Sequence, residues 1–242
     1  MDQTPHSISA QKLMFDLGTH RIPQLVDVCV PEDIAVAPWR IPGAVHVSHQ
    51  DVADWAGTAN RHVPIVVICQ KGLKLSHGAA ALLRSMGFYA TALTGGILAW
   101  LAADYPRLSL SAAPSVGTHW VLPATRDRRA LSAAWVVRRW YDPTAPLLWV
   151  APELVSEVAS RFNAHALELD TPLPRAFEAC GLMAAHLSAF LDHIETETSP
   201  VVTLLGALRN LHHRDEGLVH AALPLLDAAW VAFRQQIGQE AA

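Results

Sequence analysis

The stretch that most constrains this chain is Val63-Pro-Ile-Val-Val-Ile68, an apolar run that ends in Cys69. Gln70-Lys71-Gly72-Leu73-Lys74-Leu75-Ser76 and an alanine-rich helical segment follow at once. A short apolar run bounded by turn residues reads as a strand buried on both faces, and this is the habit of a parallel sheet covered by helices. The order strand, loop, helix also carries chemistry. A loop that leaves a buried strand and opens a helix points backbone N–H groups and the positive end of the helix dipole at one place, which favours thiolate over thiol at Cys69. Cys69 is thus a candidate nucleophile beside a site for a small oxyanion. Gly72 suits a loop curled around an anion, where φ above zero is often required.

The flanking segments extend the pattern. Ser9 is placed to cap a helix with Leu13, Met14 and Leu17 on one face, stopped by Gly18. Gln24 to Val30 reads as a strand ended by Pro31, Ile41-Pro42-Gly43-Ala44-Val45-His46 as a turn into a short strand, and Gln50 to Ala56 as a short helix. After the Cys69 loop, Ser76 is placed to cap a helix through Arg84 that ends near Gly87. Tyr89 to Leu93 reads as a further strand, and Thr94-Gly95-Gly96 turns into a helix containing Trp100. Strands alternating with helices imply an α/β fold with a mostly parallel sheet and helices on both faces.

Composition narrows the function. A net charge of −4 with no Lys/Arg block argues against nucleic-acid binding, which needs clustered cations. Cys29, Cys69 and Cys180 are an odd number without framework spacing, so free thiols in a reducing, cytoplasmic setting are expected. Met1 to His6 shows no basic and apolar export signal, and no apolar run is expected to approach the roughly 20 residues of a membrane helix.

Six motifs in order carry a family resemblance: Leu25-Val-Asp27-Val, Ile41-Pro42-Gly43-Ala44-Val45-His46, the strand ending in Cys69, Ser76-His-Gly-Ala79-Ala80, Gly87-Phe88, and Leu93-Thr-Gly95-Gly96-Ile97-Leu-Ala-Trp100. Residues from about 9 to 107 resemble a rhodanese domain. The resemblance implies a sulfurtransferase in which Cys69 attacks the outer sulfur of thiosulfate or a persulfide and becomes a persulfide itself, which a thiol or cyanide then discharges. It implies that the main chain from Gln70 through Lys71, Gly72, Leu73, Lys74 and Leu75 to Ser76 holds the substrate, with Lys71 and Lys74 near the sulfonate. No metal or cofactor is implied. Partners would be a small sulfur-containing anion or oxyanion and a thiol or protein persulfide acceptor. Asp27 is expected to be structural, and Cys29 to be packing on a strand that can neighbour that of Cys69.

The loop departs from the sulfurtransferase pattern in two ways. Aligned on Ser76, Ala79, Ala80 and Leu83, it has seven residues from Cys69 to Leu75 where sulfurtransferases of this family usually have six and oxyanion-processing relatives have seven. It also lacks the arginine with which those relatives close the loop; Leu75 stands there, and Lys74 offers a point charge without a bidentate fork. Sulfur transfer is therefore the first expectation. An oxyanion sensor or regulator, binding chromate or arsenate without turnover, is the alternative.

Small and turn-forming residues after Arg107 read as a linker at 109–117, dividing a first domain at 1–108 from a second at 118–242. In the second, His119 to Leu122, Leu147 to Val150 and Ala164 to Leu169 read as strands, with helices at Asp127 to Tyr141 and Glu153 to Phe162. Arg175 to Gln236 reads as helical, broken near Ser199-Pro200 and His213, so the second domain is expected to be a smaller α+β unit, mainly helical. Ala133-Ala134-Trp135-Val-Val-Arg138-Arg139-Trp-Tyr-Asp142-Pro143, Leu148-Trp-Val150 and Leu226-Asp227-Ala228-Ala229-Trp230 make residues 118–236 resemble the carboxyl-terminal domain of the chromate-resistance protein B family. A cysteine usual in that family is replaced by Ala133, and Pro172-Leu-Pro174 stands where a histidine-containing turn is usual, so no functional residue is transferred. His212, Glu216 and His220 share one helical face by spacing and are weak metal candidates beside the commoner solvated face. Cys180 is expected to be packing, and Arg138 and Arg139, pointing about 100° apart, to be solvated.

Overall fold

The computed structural model describes residues 6–196 and 200–240. Met1 to Pro5, where no export signal is read, and Ser199, half of the expected Ser199-Pro200 break, lie outside the described residues. The chain divides into two compact units, Met1–Leu17 with Arg21–Ser111 and Gly18–His20 with Ala112–Ala242.

The first unit runs β1 (Ser7–Ile8), α1 (Ala10–Asp16), β2 (Gln24–Asp27), α2 (Pro31–Val36), β3 (Trp39–Arg40), β4 (Ala44–His46), α3 (Val52–Ala56), β5 (Ile65–Ile68), α4 (Lys74–Ser85), β6 (Ala90–Leu93), α5 (Gly96–Ala102) and β7 (Arg107–Ser109). Ser9 caps α1 as expected, its side chain accepting from the Lys12 amide. The main sheet has the order β1-β6-β5-β2-β4, every pair parallel. β5 is buried along its whole length because sheet neighbours flank it on both sides and helices cover its faces. Ser76, Ala79, Ala80 and Leu83, at helical spacing, form the buried stripe of α4, which joins Val26, Val67 and Phe88 in one core.

Chain order reverses between β2 and β5. From β2 the chain moves outward to β4, and from β5 it moves the other way to β6, so a crevice opens at their carboxyl ends, where open α/β sheets bind ligands. Cys69 follows β5 into that crevice, and α2 follows β2. Pro31, expected only to stop a strand, instead occupies the first turn of α2, a position that does not miss its N–H. β7 pairs antiparallel with β3, so Ser109, expected in the linker, is a strand residue.

The second unit carries a parallel sheet of order β10-β8-β9, formed by β8 (Trp120–Pro123), β9 (Leu147–Val150) and β10 (His165–Ala166). α6 (Arg128–Val136), capped by the Asp127 side chain, runs into a π-helical turn at Val137–Tyr141. Then come α7 (Val155–Arg161), α8 (Leu173–Ala179), α9 (Ala185–Glu195), α10 (Pro200–Leu211) and α11 (Asp215–Glu240). Trp135, Trp140, Phe190 and Trp230 meet edge to face in the core, as packing aromatics do.

Three expectations for this half are corrected. Asp215–Ile237 in α11 is, by length and composition, long and apolar enough to cross a membrane, although no such run was expected; here Leu218, Ala222, Leu226 and Trp230 are buried, and α11 packs on α6, α9 and α10. His212 does not share a helical face with Glu216 and His220, because the chain breaks between α10 and α11, and Glu216 pairs with Arg138 at 3.0 Å. Arg138 and Arg139 are not solvated. Long side chains let adjacent arginines find separate carboxylates, and Arg139 donates to both oxygens of buried Asp227 at 2.8 and 3.0 Å.

Candidate active site

Cys69 lies one residue past the central strand and is only 4% exposed. Its backbone is anchored to the start of α5. The Cys69 carbonyl accepts from the Ile97 amide at 3.0 Å and the Gln70 carbonyl from the Leu98 amide at 3.1 Å. With the carbonyls drawn to that side, the loop amides are left over. Among the described residues, no backbone carbonyl takes the amides of Gln70 to Leu75, and those opening a helix have no partner within it.

Two glycines lock this position. Gly72 adopts φ +65°, the left-handed conformation expected of it, and a Cβ there would stand 2.3 Å from the Leu93 carbonyl oxygen. Gly96 adopts φ +59°, and a Cβ there would stand 2.0 Å from the Cys69 carbonyl oxygen and 2.5 Å from the Gly72 nitrogen. Loop and Gly95-Gly96 turn touch backbone to backbone, which no side chain would permit.

Ser76 is not the helix cap. α4 begins two residues earlier at Lys74, and Leu73 in the cap position makes no side-chain cap bond. Ser76 is fully buried in the first turns of the helix, where its hydroxyl meets the thiol: Cys69 Sγ donates to Ser76 Oγ at 3.1 Å, and Ser76 Oγ donates to the Leu73 carbonyl at 3.1 Å. The earlier helix start leaves Lys71, Leu73 and Lys74 exposed at the mouth, with Gln70 and Leu75 half-buried.

An open pocket of about 520 Å³ is lined by Cys69, Gln70, Lys71, Leu73, Lys74 and Leu75, together with Asp33 from α2. The thiol is therefore buried in the core on one side and faces a pocket on the other. Asp33 is the site residue that the sequence did not reveal; the only signal for it was Pro31 followed by two acids, the signature of a helix start.

Cys29 sits near Cys69, since β2 and β5 are parallel neighbours with Asp27 opposite Ile68 and the Val28 amide on the Ile68 carbonyl at 2.8 Å. Asp27 has the structural role expected of it, accepting the Cys29 amide at 2.9 Å. Burial, with the Asp27 carboxylate next, pushes the Cys29 thiol far above the ordinary thiol range, which keeps it protonated and inert. In the second unit Cys180 Sγ lies 3.1 Å from His165 Nε2, a pairing that spacing did not suggest. Burial pushes Cys180 up to about 11 and His165 down, so both stay neutral and no thiolate–imidazolium pair forms. Among the described residues, no three His, Cys, Asp or Glu side chains are grouped to hold a metal.

A thiol at the carboxyl end of the central strand, at the switch point of a parallel sheet and under a glycine-locked loop, defines an α/β domain built around one cysteine. The rhodanese-like domain family matches residues 9–103. Thiosulfate sulfurtransferase GlpE of Pseudomonas aeruginosa is 36% identical over 84 residues, 34% of this chain and 73% of that protein. YtwF of Bacillus subtilis is 31% identical over 84 residues, 35% of this chain and 81% of that protein. A rhodanese-related protein from Thermoplasma volcanium superposes with a TM-score of 0.38 at 22% identity, covering 43% of this chain and 98% of that one. The chain belongs to the rhodanese-like family through its first unit, and its kinship with sulfurtransferases is distant.

Proposed function

We propose that the protein is a sulfurtransferase that carries sulfane sulfur on Cys69 from thiosulfate or a persulfide to a thiol acceptor. The observation that carries this reading is the placement of the Cys69 thiol between the Ser76 hydroxyl and an open pocket rimmed by Lys71 and Lys74. The Cys69 sulfur attacks the outer sulfur of thiosulfate, the S–S bond breaks, and sulfite leaves with the bonding pair. The outer sulfur stays on Cys69 as a persulfide, stabilised by the unpaired loop amides and the helix start. As negative charge gathers on sulfur, the Ser76 hydroxyl turns from the Leu73 carbonyl to donate to it. An acceptor thiol or cyanide then removes the outer sulfur and restores Cys69. A reducing, cytoplasmic setting belongs to the same proposal, because the carrier thiol must stay free.

Thiosulfate and cyanide supplied to the full chain should yield sulfite and thiocyanate in equal amounts. Cys69→Ser should yield neither, and turnover that survives this substitution sinks the proposal. The alternative, an oxyanion sensor linked to chromate resistance, draws on the seven-residue loop and on the resemblance of residues 118–236. It predicts saturable chromate binding with no sulfite release.

A further inference from the structure

The mouth of the Cys69 pocket carries charge of both signs. Asp33 faces it from α2, Lys71 from the loop and Lys74 from the first position of α4, with Leu73 and Leu75 as apolar wall. Among the described residues, none of these three charged side chains has an ion-pair partner. The Asp33 charge also reaches inward, since it is among the causes that raise the nearby Cys29 thiol. For thiosulfate this carboxylate is a liability: the dianion satisfies the lysines and is repelled by Asp33. A pocket of about 520 Å³ has room for more than thiosulfate.

We infer that the donor this pocket selects is zwitterionic, an amino-acid persulfide whose ammonium pairs with Asp33, whose carboxylate pairs with Lys71 or Lys74, and whose outer sulfur meets Cys69. The inference rests on the sulfur-transfer reading above and names its substrate class. Cys69 Sγ bonds to the outer sulfur of the donor, and the donor S–S bond breaks. The inner sulfur departs as the free amino-acid thiol, carrying the proton that Cys69 gives up. No outside oxidant or reductant is required, and Asp33 acts as a specificity determinant at the substrate ammonium.

The test compares three donors on the full chain by the rate at which intact mass shows a sulfur added to Cys69: L-cysteine persulfide, N-acetyl-L-cysteine persulfide and thiosulfate. An ion pair at a half-exposed site predicts that the free amino donor loads about fivefold faster than its acetylated form. Asp33→Asn should abolish that preference and speed loading from thiosulfate by a similar factor, while Asp33→Glu retains the preference. Equal rates for the two persulfides on the wild-type protein overturn the inference without any variant, as does a preference that survives Asp33→Asn; both leave sulfur transfer standing. Failure of all three donors to load Cys69 overturns the transfer reading and this inference with it.

Discussion

The interlock of the Cys69 loop with the Gly95-Gly96 turn is open to a controlled test by Gly96→Ala. Alanine at φ +59° costs roughly 1 kcal/mol in backbone conformation alone. Its Cβ would lie 2.0 Å from the Cys69 oxygen, 2.5 Å from the Gly72 nitrogen and 2.6 Å from the Gln70 oxygen, all backbone atoms that cannot swing aside. The loop must move away, weakening the Ile97 and Leu98 amide bonds to Cys69 and Gln70, worth about 1 kcal/mol each. With some residual overpacking, the loss should be of order 4 kcal/mol. Gly43→Ala is the built-in control. Gly43 has a similar φ of +77° but nothing within 4 Å of an added Cβ, so only the conformational cost of about 1 kcal/mol applies. Urea unfolding of both variants, with sulfur uptake from thiosulfate measured alongside, reads the difference. Gly96→Ala should be the less stable by about 3 kcal/mol and should load sulfur far more slowly. If the two variants are equally stable and both load at the wild-type rate, backbone contact with that turn does not hold the loop.

Ser76→Ala removes the side chain that, among the described residues, is hydrogen-bonded to the Cys69 sulfur. A hydrogen bond to a charged group is worth about 1.5–3 kcal/mol, so persulfide formation should slow by about 10- to 150-fold; a wild-type rate by intact mass would show that the hydroxyl takes no part. Asp227→Ala strips the nearly buried Arg139 of its carboxylate and Trp135 of its 2.8 Å acceptor. Urea midpoints should register a loss of about 3–5 kcal/mol in the second unit, and a loss under about 1 kcal/mol would contradict the pairing. The folded Cys180 thiol sits at about 11 against an ordinary 9.0. Its stabilising contribution is therefore complete below about pH 9 and is lost as pH rises toward 11, because the unfolded chain releases that proton first. Cys180→Val should make this alkaline decline in unfolding midpoints shallower, leaving the part that the still more strongly raised Cys29 contributes; an unchanged decline would place its cause elsewhere.

The central strand, Cys69 and the Gly95-Gly96 turn were legible because each rests on local chemistry: four consecutive apolar residues, a thiol at their end, and glycines where no Cβ fits. The start of α4 was not. Serine is among the preferred cap residues, but Ser76 lies inside the helix, bonded to Cys69, a partner seven residues away that only the folded loop supplies. α2 was hidden because Pro31 both ends strands and begins helices, and losing α2 lost Asp33 with it. The β3–β7 pairing joins two-residue registers nearly 70 positions apart, below what periodicity can register. The partners of Arg138 and Arg139 do not follow from Cα geometry, because their long side chains reach Glu216 and Asp227 on an element far away in the chain.

The carrier role of Cys69 is tested most directly by the mass of the intact protein after brief incubation with thiosulfate and removal of the excess. The wild-type protein should gain the mass of one sulfur atom, reversed by cyanide and absent from Cys69→Ser. An unchanged mass in the wild-type protein, or the same gain in Cys69→Ser, would contradict it.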